Sequence, residues 1–197
     1  MTSTNKMHVK LLFAAVALIT GCAVTPPPQP EPTPVEGSTT VYLVRHAEKD
    51  MSEPNAVDPA ISTTGQERAK ALAARLGATG IKAIFTSQFR RTIETADPLA
   101  VAIGVTPEIV RAGWTTDADS AKAAVFRHKG EKVLFVSHSK TIPSIIEALG
   151  GPKLADICES QYSNLFIMYL PPSGKSQLIR QNYGRGDPPP EPGCSSM

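Results

Sequence analysis

Strand-like apolar runs alternate with segments that have amphipathic-helix spacing, and this alternation constrains the fold more than any other feature of the chain. Apolar runs occupy 41–44 and 133–136, and a third strand-like segment occupies 81–85. Uninterrupted apolar strands are typical of parallel sheets that helices cover on both faces. The pattern therefore predicts an α/β fold, a single three-layer α/β/α domain around a mostly parallel sheet. Two later runs, at 165–170 and 177–180, predict a hairpin.

Helix signals lie between the strands. Thr64 and Glu67 have the spacing of a capping box, and the segment that follows places Leu72 and Leu76 on one face before Gly77 ends it. Further helices are predicted over 92–103, 119–126 and 142–149, with an edge strand over 105–110.

The composition limits both domain number and partners. A chain of 197 residues with 41% hydrophobic residues supports one domain with a substantial core. The net charge is +2, and we find no basic cluster, so a nucleic-acid partner has no support. Two proline-rich segments flank the predicted domain, a linker at 23–38 and a tail at 185–197, which leaves the folded domain at 39–184.

The N-terminus has the features of an export signal. Lys6 and Lys10 precede a short apolar run at 11–21, which is too short for a stable membrane span. Cys22 follows at once, and the junction resembles the lipobox of bacterial lipoproteins. That resemblance implies a signal peptide over 1–22 and a lipid anchor on Cys22, and Ala23 after it favours the outer membrane, facing the periplasm. The alternative is a secretory signal that is cleaved near this point.

Two other cysteines, Cys158 and Cys194, remain after Cys22. An exported compartment permits a disulfide between them, but their spacing does not require one. A disulfide and two separate thiols both remain open.

Two of the strand-like runs end in a histidine. His46 follows the run at 41–44 directly after Arg45, and His138 follows the run at 133–136 directly after Ser137. Ligands in open parallel sheets bind beyond the carboxyl ends of the strands, so both histidines are candidate site residues. Each could also be a structural histidine, but two at the same predicted edge favour function.

Arginines follow the strand at 81–85. Arg90 and Arg91 both start at the predicted carboxyl edge, and a guanidinium suits phosphate because it donates two parallel hydrogen bonds. Adjacent helical positions point about 100° apart, so the two cannot serve one pocket equally. Arg91 shares a helical face with Thr95, which favours Arg91.

These segments together resemble the histidine phosphatase superfamily, also called phosphoglycerate mutase-like. Four elements carry the resemblance in order: Arg45-His46-Ala47, the segment 61–69 around Gly65, the segment 87–96, and Ser137-His138. Each element is weak alone, but their order and strand contexts are specific. The resemblance covers about 39–184.

The resemblance implies a phosphatase that cleaves phosphate monoesters through a phosphohistidine intermediate. His46 would be the nucleophile, while Arg45, Arg91 and His138 would bind the phosphate; it implies no metal and no cofactor. Hydrolysis is favoured over mutase action, because the 46 residues between Arg91 and His138 leave little room for a lid.

The chain departs from the family where a glutamate general acid is usual. We find no carboxylate between Glu108 and Asp117. Glu48 is the first candidate for its proximity to His46, with an ion pair to an arginine as its alternative role; Glu108 and Asp117 are the others. The missing glutamate also supports a second hypothesis, a lipoprotein of the same fold with little or no activity that binds a phosphorylated ligand or partner.

A metal site is the main rival interpretation. His46, Glu48 and His138 are residue types that ligate zinc. Arg45 and Arg91 would repel a cation at the same place, which favours an anion.

Overall fold

The computed structural model describes, apart from Met1, residues 34–53, 55–111 and 117–194. The predicted signal peptide, Cys22 and most of the linker at 23–38 lie outside the described residues. Among the residues described, no helix combines the length and the apolar character that crossing a membrane requires.

The described residues form six strands and four helices, which occur in chain order close to where the sequence predicted them. They are β1 Thr39–Arg45, α1 Thr63–Leu76, β2 Ala83–Thr86, α2 Arg90–Ile103, β3 Glu108–Ile109, α3 Asp117–Arg127, β4 Lys132–Ser137, α4 Thr141–Ala148, β5 Asn164–Leu170 and β6 Gln177–Asn182.

The strands form one mixed sheet in the order β3-β2-β4-β1-β5-β6. The first four in this order are joined by parallel pairs, while β5 and β6 are antiparallel to their neighbours. The sheet is therefore mostly parallel, and β5 and β6 form the predicted late hairpin. Because β5 runs antiparallel to β1, the segment before β5 lies at the carboxyl edge of β1.

Alternate residues of β1 build two separate hydrophobic layers, as strand geometry requires. Val41 and Leu43 lie in a core cluster with residues of α3 and α4. Tyr42 and Val44 lie in another cluster with residues of α1 and α2. All seven residues of β1 are buried. This confirms the α/β/α layering and explains why β1 is apolar from Val41 to Val44.

Helix α1 begins two residues earlier than its capping box predicted. Ser62 is the N-cap, and its side chain accepts a hydrogen bond from the Gly65 N–H. The Thr64–Glu67 prediction was wrong in register because the Ser62 turn is fixed by a tertiary contact, the hydrogen bond from the Ser62 N–H to the Glu48 carbonyl, at 2.8 Å. A Cβ at Gly65 would stand 2.5 Å from that same carbonyl oxygen. Only glycine permits this close approach of α1 to the segment after His46.

The proline-rich tail is fastened to the domain. Asp187 accepts hydrogen bonds from the backbone N–H groups of Tyr162 and Ser163, at 2.8 and 3.0 Å. Cys194 forms a disulfide with Cys158, which decides a pairing that the sequence left open. Both contacts hold the tail against the segment that precedes β5.

Candidate functional site

The register of the two central strands places the predicted histidines side by side. Arg45 at the end of β1 pairs with Ser137 at the end of β4, so His46 and His138 both follow at the carboxyl edge. The His46 N–H donates to the Ser137 carbonyl at 2.9 Å, and the two imidazole centroids are 5.4 Å apart.

The His46 ring is held in one tautomer. Its Nδ1 lies 2.8 Å from the carbonyl oxygen of Ala47, and a carbonyl can only accept, so Nδ1 carries the hydrogen and Nε2 keeps its lone pair. Burial, together with the neighbouring cations Arg45 and Arg91, lowers the pKa of His46 to about 3. The imidazole is therefore neutral at physiological pH, which is the protonation state of a nucleophile.

Arg45 is almost fully buried, at 1% exposure, and the segment before β5 holds it. One terminal nitrogen donates to the carbonyl oxygens of Cys158, Glu159 and Gln161, at 2.8, 2.9 and 3.3 Å. The other lies 2.5 Å from the Glu159 carboxylate, and the guanidinium stacks 4.4 Å from the Tyr162 ring centroid. Its Nε is buried with no hydrogen-bond partner in the described structure.

Arg91 lies in the first turn of α2. Thr95, one turn on, donates its hydroxyl to the Arg91 carbonyl at 2.6 Å and accepts the Ala47 N–H at 2.9 Å, which ties this turn to the residue after His46. The Arg91 guanidinium lies 4.4 Å from the Phe89 ring centroid, and its Nε is also buried with no partner in the described structure. Burial lowers the pKa of Arg91, and the like charge of Arg45 adds to this effect.

Arg90 points away from this group. Its side chain is 61% exposed and pairs with Glu94 one turn along α2, at 3.0 Å. The orientations of Arg90 and Arg91 are those that helical geometry predicted.

His138 is oriented by Ser87, the first residue after β2. Its Nε2 lies 2.9 Å from the Ser87 hydroxyl, which lies 2.9 Å from the Thr92 hydroxyl in turn. Burial, followed by the charges of Arg91 and Arg45, lowers the pKa of His138 to about 4. His138 is therefore neutral at pH 7 when no anion is bound.

This group of side chains has the electrostatics of an anion site. The guanidinium groups of the buried Arg45 and the half-buried Arg91 influence each other and both imidazoles, and the Nε of each has no hydrogen-bond partner in the described structure. A buried donor without a partner and a buried pair of like charges both cost free energy, which an oxyanion between them recovers. A phosphoryl group next to a neutral imidazole nitrogen can be attacked by that nitrogen.

Two of the three candidate general acids pair with arginines, and the side chain of the third lies outside the described structure. Both carboxylate oxygens of Glu48 accept hydrogen bonds from the buried Arg68, at 2.8 to 3.0 Å, which is the alternative role that the sequence allowed. Glu108 forms a surface pair with Arg127 at 2.5 Å. Asp117 is the first residue of α3, and its side chain lies outside the described part of the structure.

His46, Glu48 and His138, the residues considered as zinc ligands, are poorly arranged for a cation. Glu48 is committed to Arg68, and the two arginines repel a cation at His46 and His138. Among the described residues, Cys158, Glu191 and Cys194 have metal-ligand spacing, but their two sulfur atoms are joined in the disulfide and offer no thiolate.

Sequence reasoning missed the residues that support the site from a distance in sequence. Glu159, Tyr162 and Arg68 meet the site only through folding, because their partners lie 20 to 117 residues away. The one available signal was the antiparallel hairpin, which returns the chain to the edge of β1 just before residue 164. Ser87 was inside the segment 87–96 but had no role assigned.

Comparison with known proteins agrees with this geometry. Residues 41–114 match the model of the histidine phosphatase superfamily (branch 1). The matched segment contains Arg45, His46 and Arg91, while His138 lies beyond it.

The curated relatives match over a short segment. The chain is 39% identical over 66 residues to 6-phosphofructo-2-kinase/fructose-2,6-bisphosphatase 4 of Homo sapiens, and equally to that of Macaca fascicularis. The match covers 32% of this chain and spans 14% of the relative's length.

Solved structures share the fold of this chain over most of the predicted domain. A mycobacterial glucosyl-3-phosphoglycerate phosphatase superposes with a TM-score of 0.59 at 17% identity, over 75% of this chain and 100% of that one. The protein histidine phosphatase SixA, complexed with tungstate, gives a TM-score of 0.58 at 15% identity, over 73% of this chain and 96% of that one. The fold is that of the histidine phosphatases.

Proposed function

We propose that this chain, which has the histidine phosphatase fold and matches that superfamily over residues 41–114, hydrolyses phosphate monoesters through a phosphohistidine at His46. One observation carries the proposal. The neutral imidazole of His46, with its hydrogen fixed on Nδ1, lies beside the buried Arg45 and the half-buried Arg91, and the Nε of each arginine has no hydrogen-bond partner in the described structure.

In the first step the Nε2 lone pair of His46 attacks phosphorus. The phosphorus–oxygen ester bond breaks, and the leaving oxygen takes a proton to depart as an alcohol. Arg45, Arg91 and His138 bind the nonbridging oxygens, where charge is spread in the transition state. Ser87 holds the His138 ring in place for this contact.

In the second step water attacks the phosphohistidine. The phosphorus–nitrogen bond breaks, inorganic phosphate leaves, and His46 regains its lone pair. Splitting the reaction in two lowers the barrier of an otherwise extremely slow hydrolysis. No step requires a metal ion, because the arginines supply the positive charge.

A second candidate function is binding of a phosphorylated ligand or partner without turnover. The engagement of Glu48 by Arg68 and of Glu108 by Arg127 favours it, because it removes two of the proton donors that the sequence offered.

Replacement of the nucleophile separates the two candidates. We expect His46→Ala to abolish release of phosphate from para-nitrophenyl phosphate in the presence of EDTA, while His128→Ala retains activity. His128 is a suitable control because it pairs with Glu131 outside the site. A phosphorylated His46 should be detected by mass spectrometry after an alkaline quench. Phosphate binding with no turnover by the parent protein would favour the binding function, and activity that survives His46→Ala would refute the mechanism.

We also propose that the domain is anchored in the cell envelope through a lipid on Cys22 and that its phosphorylated substrate is met in the periplasm. The Cys158–Cys194 disulfide supports an exported location, because disulfides persist in oxidising compartments.

The anchor is tested by fractionation. Cys22→Ser should release the protein from membranes into the soluble exported fraction. Retention in the membrane fraction would contradict the lipid anchor.

A further inference from the structure

A largely exposed carboxylate contacts one of the two arginines of the site. Glu159 lies in the segment before β5, and one of its oxygens contacts a terminal nitrogen of Arg45 at 2.5 Å. Its side chain is 65% exposed, whereas that of Arg45 is 2% exposed. The carboxylate therefore lies at the solvent side of the arginine that would bind phosphate.

The backbone beneath Glu159 is fixed although its side chain is exposed. The carbonyls of Cys158, Glu159 and Gln161 all accept hydrogen bonds from Arg45. The disulfide to Cys194 restrains the start of this segment, and the Asp187 carboxylate holds its end through the N–H groups of residues 162 and 163. The fixed backbone keeps the exposed carboxyl group within reach of whatever Arg45 binds.

Two other carboxylates near the site each use both oxygens in contacts with arginine residues. Glu48 is gripped through both oxygens by Arg68. Asp58 accepts the Arg90 N–H through both oxygens, at 3.1 and 3.2 Å, and lies 3.6 Å from Arg91. The second oxygen of Glu159 accepts a hydrogen bond from the Ser139 hydroxyl, at 3.3 Å.

We infer that Glu159 is the proton donor to the leaving group, in place of the glutamate that the sequence lacks after the second arginine segment; this rests on the proposed function. A phosphate ester bound to Arg45 would lie next to the Glu159 carboxyl group, within reach of its proton. The proton comes from solvent as the substrate binds.

The proton balance then closes over both steps. Glu159 gives its proton to the ester oxygen as the phosphorus–oxygen bond breaks, and the alcohol leaves. The Glu159 carboxylate next takes a proton from the water that attacks the phosphohistidine, and it returns to the acid form for another cycle. One carboxyl group thus serves as acid and then as base.

The test uses leaving groups of different basicity on the full-length protein. Nitrophenolate departs without a proton, whereas the alkoxide of ethyl phosphate requires one. We expect Glu159→Gln to lower kcat/KM about a hundredfold or more for ethyl phosphate, in the range for loss of a general acid, and less than about threefold for para-nitrophenyl phosphate. Asp58→Asn is the matched control, a carboxylate beside the other arginine, and should change both substrates by the same factor.

Each other outcome overturns the inference in a distinguishable way. An equal loss on both esters would make Glu159 a positioning residue for Arg45. An equal gain on both would make it a competitor of phosphate for Arg45. If the parent protein turns over neither ester, the proposed hydrolysis fails, and the role of Glu159 fails with it. The thermal unfolding midpoint of the variant shows whether a loss on both substrates reflects misfolding.

Discussion

The adjacent arginines at the start of α2 allow one prediction to be worked from the structure in detail. Arg91 and Arg90 have the same charge and are neighbours in the chain, but they differ in environment. The Arg91 side chain is 16% exposed and its Nε is buried without a partner, whereas the Arg90 side chain is 61% exposed and paired with Glu94. The prediction is that Arg91→Lys impairs turnover and Arg90→Lys does not.

The magnitude follows from the hydrogen bonds that lysine cannot replace. An ammonium keeps the charge at position 91 but loses the planar pair of donors, including the Nε–H. Removal of one preorganised donor from a transition-state site costs about 10²-fold in kcat, or about 2.7 kcal/mol. At position 90, lysine can still pair with Glu94, and the side chain is exposed and points away from the site, so the change should stay below about threefold.

The assay is kcat/KM for para-nitrophenyl phosphate with the two variants and the parent protein. Thermal unfolding of all three checks that the loss at position 91 is not a loss of fold. Equal losses, or a larger loss at Arg90, would refute the assignment of Arg91 to the phosphate and shift the register of the whole segment 87–96.

Two further predictions concern stability. Cys194→Ser, or reduction of the parent protein, should lower the free energy of unfolding by about 4 kcal/mol for a sequence separation of 36, because the unfolded chain gains entropy without the disulfide. Calorimetry should show an unfolding midpoint about 10 °C lower, and a shift under about 2 °C would contradict the prediction. The pKa of His46 is about 3 and that of His138 about 4 in the folded protein, both below the value of about 6.5 expected when unfolded, so the unfolded state binds more protons between these limits. Urea unfolding should therefore show a free energy of unfolding that is full above pH 6.5 and falls as the pH is lowered toward 3, with a loss on the order of 2 kcal/mol per histidine by pH 4.5. In His46→Gln the free energy of unfolding should fall less steeply with pH. An unchanged pH dependence in that variant would show that His46 does not titrate as assigned.

The fold was largely predictable because its signals are local. The strands at 41–44 and 133–136 are buried on both faces, so every position is apolar, and helical spacing placed Arg91 and Thr95 on one face while turning Arg90 outward. Such patterns depend on the geometry of a few consecutive residues. The predicted start of α1 was wrong by two residues, because the hydrogen bond from the Ser62 N–H to the Glu48 carbonyl fixes the turn that begins the helix, and Glu48 is not a local neighbour of Ser62 in the sequence.

The sequence by itself also brought His46 and His138 to one edge, since parallel strands align their carboxyl ends and both histidines directly follow strands. It predicted Arg45 as a site residue but did not show what holds the guanidinium in place.

Only the tertiary structure decided the partners of the charged groups. Arg45 is held by carbonyls more than a hundred residues away, Arg68 takes Glu48 from the site, and the Cys158–Cys194 bridge fastens the segment that carries Glu159. The physical reason is that hydrogen bonds and ion pairs in a buried site depend on distance and direction in space. Neither quantity is encoded by the spacing of residues along the chain, and both are fixed only when β5 returns beside β1.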